Sequence, residues 1–195
     1  MNEADWIQRY IAPLVTSAGA VGLTDDVAIL STDGPMIATM DTLVEAIHFL
    51  PSDPLQTVGQ KLLRVNVSDI LAKGAMPAEA LLSIAWPKHR SEAEFSQFMR
   101  GIAEDLQAFQ VSLIGGDLVA IDGPLTVTLT LTGTCLNAEP VRRSGGQVGD
   151  ALWVKGGIGR GGSGMAAARH PSVRSMLQRR WPTMQVPASM CLMAF

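Results

Sequence analysis

The chain has 195 residues, of which 47% are hydrophobic and 17% are charged, and its formal net charge is −3. This composition excludes a disordered chain, and the weak negative charge provides no basic field that would attract nucleic acid. No apolar run reaches the roughly 18 residues of a membrane-spanning helix, so neither a membrane nor a nucleic acid is an expected partner.

The first part of the chain predicts a short helix, three strands and a long helix. The short helix covers residues 4–15, where apolar residues recur at helical spacing. The three apolar stretches that follow have the character of strands: Val27–Leu30, Met36–Met40 and Leu43–Phe49. Asp53 and Pro54 are the predicted N-cap and first residue of the long helix, which is expected to end at Gly74.

The middle of the chain predicts three more strands and a second long helix. The strands are expected over Glu79–Trp86, Val111–Ile114 and Leu125–Thr132, the last because apolar and polar residues alternate strictly. Ser91 and Glu94 have the spacing of a capping box, which predicts the start of the second helix. This order of elements predicts an α+β fold in which helices cover one face of a mixed sheet.

The distribution of charge divides the chain into two segments. Residues 1–150 hold all 18 acidic residues, whereas residues 151–195 hold six of the 15 Lys and Arg and no acidic residue. A break this sharp indicates segments with different roles. We therefore expect an N-terminal domain over residues 1–147 and a different segment, with an atypical basic tail, over residues 148–195.

Two further features of the composition bear on compartment and assembly. The two cysteines, Cys135 and Cys191, lack the spacing of metal ligands, which favours a reducing, cytoplasmic compartment. Charged residues fall below the share of about 25% that is typical of globular proteins. The exposed area is therefore expected to be limited, as it is in an oligomer.

Aspartates occur where predicted strands and helices begin or end, at Asp26, Asp41 and Asp117. A single aspartate at such a place is most often a turn residue or a cap. Asp69 differs, because it falls on the apolar rhythm of the first long helix and should face the protein. A buried carboxylate must be paired or bind a metal, and several carboxylates that converge would suit Mg²⁺ and a bound phosphate.

Three other places admit a structural and a functional interpretation. His48 either packs or contacts a phosphate. Arg143 belongs to a solvated arginine pair or to a phosphate clamp, since guanidinium groups bind phosphate oxygens bidentately. The two glycines that precede Asp117 fit a backbone that passes close to a ligand.

Taken together, these motifs resemble those of the thiamine-monophosphate kinases, within the superfamily that includes aminoimidazole ribonucleotide synthetase. Their order and spacing agree over about residues 20–158. The Asp-Thr-Leu-Val-Glu-x-x-His-Phe stretch and the Asn-x-Ser-Asp helix favour the thiamine kinases over the related enzymes. The segments that carry the resemblance are Asp25–Leu30, Asp41–Phe49, Lys61–Ile70, Gly74–Pro77, Leu113–Asp117 and Arg143–Asp150.

The resemblance implies an enzyme that uses ATP to phosphorylate thiamine monophosphate to thiamine diphosphate. Phosphoryl transfer would be direct and Mg²⁺-assisted, without a covalent intermediate on a catalytic side chain. It also implies a homodimer in which the sheets of two subunits form a common barrel. By position, metal ligands would be Asp26, Thr39, Met40 (through its backbone), Asp41, Asp69 and Asp117. ATP would contact Gly116, Asp117 and Arg143, and the substrate phosphate would contact His48.

The chain departs from the family beyond about residue 160, and the resemblance implies that residues 148–195 are only the start of the family's second, α/β domain. The Asp-x-Ser-Asp-Gly and Gly-Gly-Glu-Asp motifs of the family's second domain do not occur in the sequence. A site that lacks these walls admits water and holds ATP poorly, so weak or absent turnover is expected. The alternatives are a non-catalytic dimerisation module, a decayed remnant of such a kinase, or another activity of the superfamily.

Overall fold

Four strands and two long helices make up most of the residues that the structure describes. The computed structural model describes residues 3–23, 35–141 and 148. A short helix α1 (Glu3–Trp6) continues as a π-helical turn and a 3₁₀ turn as far as Leu14, and a further 3₁₀ turn covers Ala18–Leu23. The remaining elements are β1 (Met36–Val44), α2 (Leu55–Ala72), β2 (Ala75–Pro87), α3 (Glu92–Phe109), β3 (Ser112–Ile121) and β4 (Thr126–Cys135).

The four strands form one mixed sheet in the order β1-β4-β2-β3. β4 pairs antiparallel with both β1 and β2, while β2 and β3 are parallel and are connected through α3. Among the described strands, β1 and β3 lie at the two edges of this sheet. The predicted mixed sheet is therefore confirmed.

Both long helices lie on one face of the sheet, because one side of each strand is apolar. In β4 the side chains of Val127, Leu129 and Leu131 are fully buried, whereas the threonines between them point to the other face. The buried β4 side chains belong to the same core as Leu62 of α2 and Phe95 of α3. The predicted layer of helices on one face is confirmed, and we call the opposite side of the sheet the open face.

The first residues of α3 form the predicted capping box. The Ser91 side chain accepts a hydrogen bond from the backbone N–H of Glu94, and the Glu94 carboxylate accepts one from the backbone N–H of Ser91 at 2.8 Å. That backbone hydrogen bond is the main reason why the pKa of Glu94 lies below its ordinary value of 4.5, and the neighbouring Arg90 guanidinium lowers it further. The ionised form of Glu94 therefore stabilises the start of α3.

Replacing Glu94 with glutamine should lower the free energy of unfolding near neutral pH by about 1 kcal/mol, the usual value of a cap. A group whose pKa is depressed by folding contributes stability above its ordinary pKa, and this contribution is lost as the pH falls through the folded-state value. The difference between wild type and Glu94→Gln should thus shrink below pH 4.5. Urea unfolding at several pH values measures it, and a difference that does not change with pH would contradict the assignment.

Several predicted boundaries are wrong, and β3, for example, continues to Ile121 and not only to Ile114. The strand predicted over Leu43–Phe49 ends at Val44, where the chain enters a tight turn. Asp53 is not the N-cap of α2, since Pro54 takes that position and the Asp53 carboxylate accepts the backbone N–H of Leu50 at 3.0 Å. The predicted end is confirmed, because Gly74 follows α2 with a φ of +69°, a conformation that favours glycine.

Two expectations concern residues outside the described ranges. The strand Val27–Leu30 and the second domain over residues 148–195, apart from residue 148, lie outside them.

Among the helices of the described ranges, none combines the length and the apolar character that crossing a membrane requires.

Candidate functional site

Two carboxylates meet between the edge strand β1 and helix α2. Thr39 and Asp41 pair with Leu131 and Leu129 of β4, so their side chains lie on the helix-covered face of the sheet. The Thr39 hydroxyl donates a hydrogen bond of 3.4 Å to the Asp69 carboxylate. Asp69 is partly buried and faces the sheet, as its place in the apolar rhythm of α2 predicts.

The surroundings of Asp41 disfavour its negative charge. Burial raises the pKa of Asp41, the nearby Asp69 carboxylate raises it further, and His48 acts in the opposite direction. Two carboxylates that repel each other in a partly buried place are stabilised by a cation. Hard oxygen ligands of this kind suit Mg²⁺, which is usually bound by one or two carboxylates together with water and substrate phosphates. The residues present fit such an ion.

We expect the substitution Asp69→Asn to lower the pKa of Asp41, because it removes the second cause of the upward shift. The pKa should stay above the ordinary value of 3.8, since burial is the larger cause and remains. Carboxyl ¹³C chemical shifts followed through a pH titration measure the change. Asp122→Asn is the control, because Asp122 is exposed and pairs with Lys88. An Asp41 pKa that is equal in wild type and Asp69→Asn would show that the two carboxylates do not interact.

His48 is held in a tight turn directly after β1. The His48 Nδ1 accepts a hydrogen bond from the backbone N–H of Val44 at 3.0 Å, and the backbone N–H of His48 donates to the Val44 carbonyl at 2.8 Å. In a neutral imidazole whose Nδ1 accepts a hydrogen bond, the proton resides on Nε2. The turn therefore prepares Nε2–H of His48 as a donor for an anionic oxygen.

Asp117 does not join Asp41 and Asp69. It pairs with Ser83 of β2, which pairs with Thr128 of β4, so its side chain lies on the open face and at the far edge of the sheet. Three strand spacings separate the two edges, which is about 14 Å. The expectation that Asp41 and Asp117 terminate strands is wrong, because both lie inside strands. One chain therefore cannot direct Asp41, Asp69 and Asp117 to one ion.

Gly116 has a structural reason to be glycine. Its φ is +156°, and a Cβ at this position would lie 1.8 Å from the carbonyl oxygen of Leu82 in the neighbouring strand. Gly115 pairs with Leu81 immediately after an irregularity in the β2–β3 register. The close approach at Gly116 is thus to the backbone of β2, whereas a Cβ at Gly115 would meet the Leu81 side chain at 3.2 Å.

The remaining predicted ligands are Met40, Asp26 and Arg143. The side chain of Met40 lies on the open face and is 65% exposed, on the side of the sheet opposite to Asp41. Only the backbone of Met40 could therefore take part in a site at Asp41. Asp26 and Arg143 lie outside the described residues. Within residues 3–23 and 35–141, no three His, Cys, Asp or Glu side chains are grouped closely enough to hold a metal ion by themselves.

The sequence patterns indicate no role for three residues in or next to the His48 turn. The Lys61 ammonium donates a hydrogen bond of 2.5 Å to the His48 carbonyl, and Arg90 forms an ion pair of 2.6 Å with Glu45. Lys61 and Glu45 lie within motifs of the resemblance. No local pattern could reveal Arg90, because it is 45 residues away from its partner Glu45.

Comparison with known proteins identifies the family. Residues 24–135 match the family described as "AIR synthase related protein, N-terminal domain". The chain belongs to this family. It is also similar to the thiamine-monophosphate kinases of Caulobacter vibrioides (41% identity over 169 residues, 85% of this chain and 48% of the relative) and Rhodopirellula baltica (35% over 150 residues, 72% and 47%). The chain thus spans about half the length of the curated relatives that it matches.

The fold of this chain is similar to that of several solved structures. A complex of the Aquifex aeolicus thiamine-monophosphate kinase with AMPPCP and TMP has a TM-score of 0.56 and 30% identity, covering 59% of this chain and 36% of the other. The kinase of Stenotrophomonas maltophilia has a TM-score of 0.59 and 33% identity, covering 66% and 40%. The hydrogenase maturation protein HypE in complex with ATP (TM-score 0.66, 16% identity, covering 76% and 44%) shares the fold.

Proposed function

We propose that this chain carries the N-terminal half of a site at which ATP phosphorylates thiamine monophosphate to thiamine diphosphate. Residues 1–147 form the domain that binds Mg²⁺ and ATP and that dimerises, and residues 148–195 are the start of a second domain. The observation that carries the proposal is the pair Asp41 and Asp69. This pair lies near His48, whose imidazole is fixed by the Val44 hydrogen bond, in a chain related to thiamine-monophosphate kinases.

The role proposed for each residue is the one that the family resemblance implies for its position. Asp41, Asp69 and the Thr39 hydroxyl would hold Mg²⁺, with Asp26 and the Met40 backbone as further ligands. When bound, Mg²⁺ neutralises charge on the phosphate oxygens. The Nε2–H of His48 donates to the phosphate of thiamine monophosphate, and Arg143 and Gly116 contact ATP. Direct transfer between two positioned phosphates requires no nucleophilic side chain.

A second copy of the chain would lie against the open face of the sheet. This face exposes apolar side chains at Met40 (65%), Leu81 (40%) and Val119 (42%). Exposed apolar residues on one sheet face are typical of a surface that is covered in an assembly, and the low share of charged residues agrees with this interpretation. Asp117 lies on the same face, so in such a dimer it faces the second copy.

The second candidate is a dimerisation module without catalysis. It is favoured by the separation of Asp117 from Asp41 and Asp69, since no three His, Cys, Asp or Glu side chains of the described residues are grouped closely enough to hold a metal ion. The open face would be retained in this case, whereas nucleotide binding would be lost.

Calorimetry with Mg²⁺ and the ATP analogue AMPPCP tests the proposal. We expect Mg²⁺-dependent binding of AMPPCP that Asp41→Asn weakens at least tenfold, since a charge-assisted contact contributes about 1.5–3 kcal/mol. Asp122→Asn, which changes an exposed aspartate, should bind as wild type does. A coupled assay with ATP and thiamine monophosphate should show little turnover.

The alternative gives a different pair of results. No heat at millimolar AMPPCP and Mg²⁺, together with a dimeric mass from light scattering, would support the dimerisation module and overturn the phosphoryl-transfer site. Binding that Asp41→Asn and Asp122→Asn reduce equally would also contradict the assignment of Asp41.

A further inference from the structure

The turn that carries His48 is conformationally demanding. Ala46 has a φ of +65°, in the left-handed region that a residue with a side chain seldom adopts. Its N–H donates to the Phe49 carbonyl at 2.8 Å, and Phe49 is buried in the core. A strained residue of this kind persists only where its surroundings determine its conformation. Contacts outside the turn must therefore hold it.

Glu45 supplies contacts of this kind at the base of the turn. Its backbone N–H donates to the carbonyl of Leu125 at 2.9 Å, and its carboxylate accepts the N–H of Leu125 at 3.0 Å. The other carboxylate oxygen accepts from the Arg90 guanidinium at 2.6 Å. The end of β1 is thereby attached to the start of β4 and to the connection between β2 and α3.

The Glu45–Arg90 pair is nearly buried. The two side chains are 11% and 9% exposed, and Arg90 also pairs with Glu94 of α3 at 2.6 Å. A buried ion pair gives little net stability compared with apolar residues of the same volume. What it provides is directionality, because a guanidinium and a carboxylate meet in a narrow range of geometries. This pair lies three residues before His48, at the place where the turn begins.

We propose that Glu45 and Arg90 are positioning residues that hold the 45–49 turn and thereby set the orientation and tautomer of the His48 imidazole. That the His48 imidazole binds the substrate rests on the proposed function, in which Nε2–H of His48 contacts the substrate phosphate. When the pair is broken, the Val44 N–H to Nδ1 hydrogen bond loses its fixed geometry. The imidazole then samples the tautomer with the proton on Nδ1, which presents an acceptor to the phosphate.

The test is the ¹⁵N NMR spectrum of the His48 ring at about pH 8, above the ordinary imidazole pKa of about 6.5. Wild type should show one tautomer, with the proton on Nε2. Glu45→Gln removes the charge, and Arg90→Lys keeps the charge but loses the planar fork, so both should show a mixture of tautomers. The affinity for thiamine monophosphate, measured by calorimetry with Mg²⁺ present, should fall about tenfold in both, the effect of one lost charge-assisted hydrogen bond.

Glu94→Gln is the matched control. It removes a carboxylate from the same arginine and weakens the start of α3, but it leaves the Glu45 contact in place. Its His48 spectrum should equal that of wild type even though its melting temperature falls. Mixed tautomers in Glu94→Gln to the same extent, or a single Nε2–H tautomer in both Glu45→Gln and Arg90→Lys, would overturn the proposal.

The two readouts separate the two hypotheses. If wild type does not bind thiamine monophosphate while the tautomer responds to Glu45 and Arg90 as expected, the proposed function fails and the positioning role stands. If wild type binds and the tautomer of the variants is unchanged, the positioning role fails and the proposed function stands.

Discussion

Replacing Asp105 with asparagine should lower the free energy of unfolding by about 3–5 kcal/mol, the cost of leaving a buried charge without its partner. The Arg64 guanidinium donates to both Asp105 carboxylate oxygens, from Nε at 2.6 Å and from a terminal nitrogen at 3.0 Å. This pair joins α2 to α3, and its side chains are only 18% and 4% exposed. Urea unfolding followed by far-ultraviolet circular dichroism measures the loss.

Two controls define the origin of that loss. Asp122→Asn breaks the pair with Lys88, whose side chains are 57% and 81% exposed, and should cost no more than about 1 kcal/mol. The double variant Arg64→Met with Asp105→Leu removes both charges, and it should recover most of the stability because apolar residues often replace a buried pair without loss. A double variant as unstable as Asp105→Asn would show that packing, and not an unpaired charge, causes the effect.

Replacing Gly101 with alanine should lower the free energy of unfolding by about 3 kcal/mol, at the upper end of the usual cost of overpacking. A Cβ at Gly101 would lie 2.0 Å from the carbonyl oxygen of Gln56 and 2.8 Å from its carbonyl carbon, so the backbones of α2 and α3 would have to separate. Alanine is favoured over glycine inside a helix by about 1 kcal/mol. The clash is with backbone, which a rotamer change cannot relieve, and it outweighs that gain.

Gly123→Ala is the matched control for this substitution. Gly123 lies between β3 and β4, and its Cβ would meet only the Ile121 side chain at 3.7 Å, an ordinary contact distance. Its effect should stay within about 0.5 kcal/mol. Equal urea midpoints for Gly101→Ala and wild type would mean that the helices approach less closely at this crossing.

Sequence patterns predicted those parts of the fold that local interactions determine. The Ser91–Glu94 capping box and the strict alternation of β4 each involve residues only a few positions apart. Asp69 was correctly expected to face the protein, because the period of a helix identifies its buried side. These elements required no knowledge of the neighbours in space.

The predictions that failed depend on long-range neighbours. The sequence predicts that strands end at the polar residues inside Met36–Val44 and Ser112–Ile121, yet strands at the edge of the described sheet tolerate polar side chains that have one open side. Alternation alone does not reveal which face of a strand is covered, so Asp41 and Asp117 were expected together although they lie on opposite faces. The Glu45–Arg90 contact likewise exists only after the sheet has formed.

The strand order has a consequence for the time at which the candidate site assembles. β1 pairs only with β4 in this sheet, and the paired residues are about 90 positions apart in sequence. Closing so large a loop costs entropy that must be spent before the contacts form, which makes such pairings slow. Among the described strands, β1 pairs with β4 alone, so this pairing cannot form until residues 126–135 have left the ribosome. The β1–β4 contacts that support Asp41 beside Asp69 therefore form only when β4 has been synthesised.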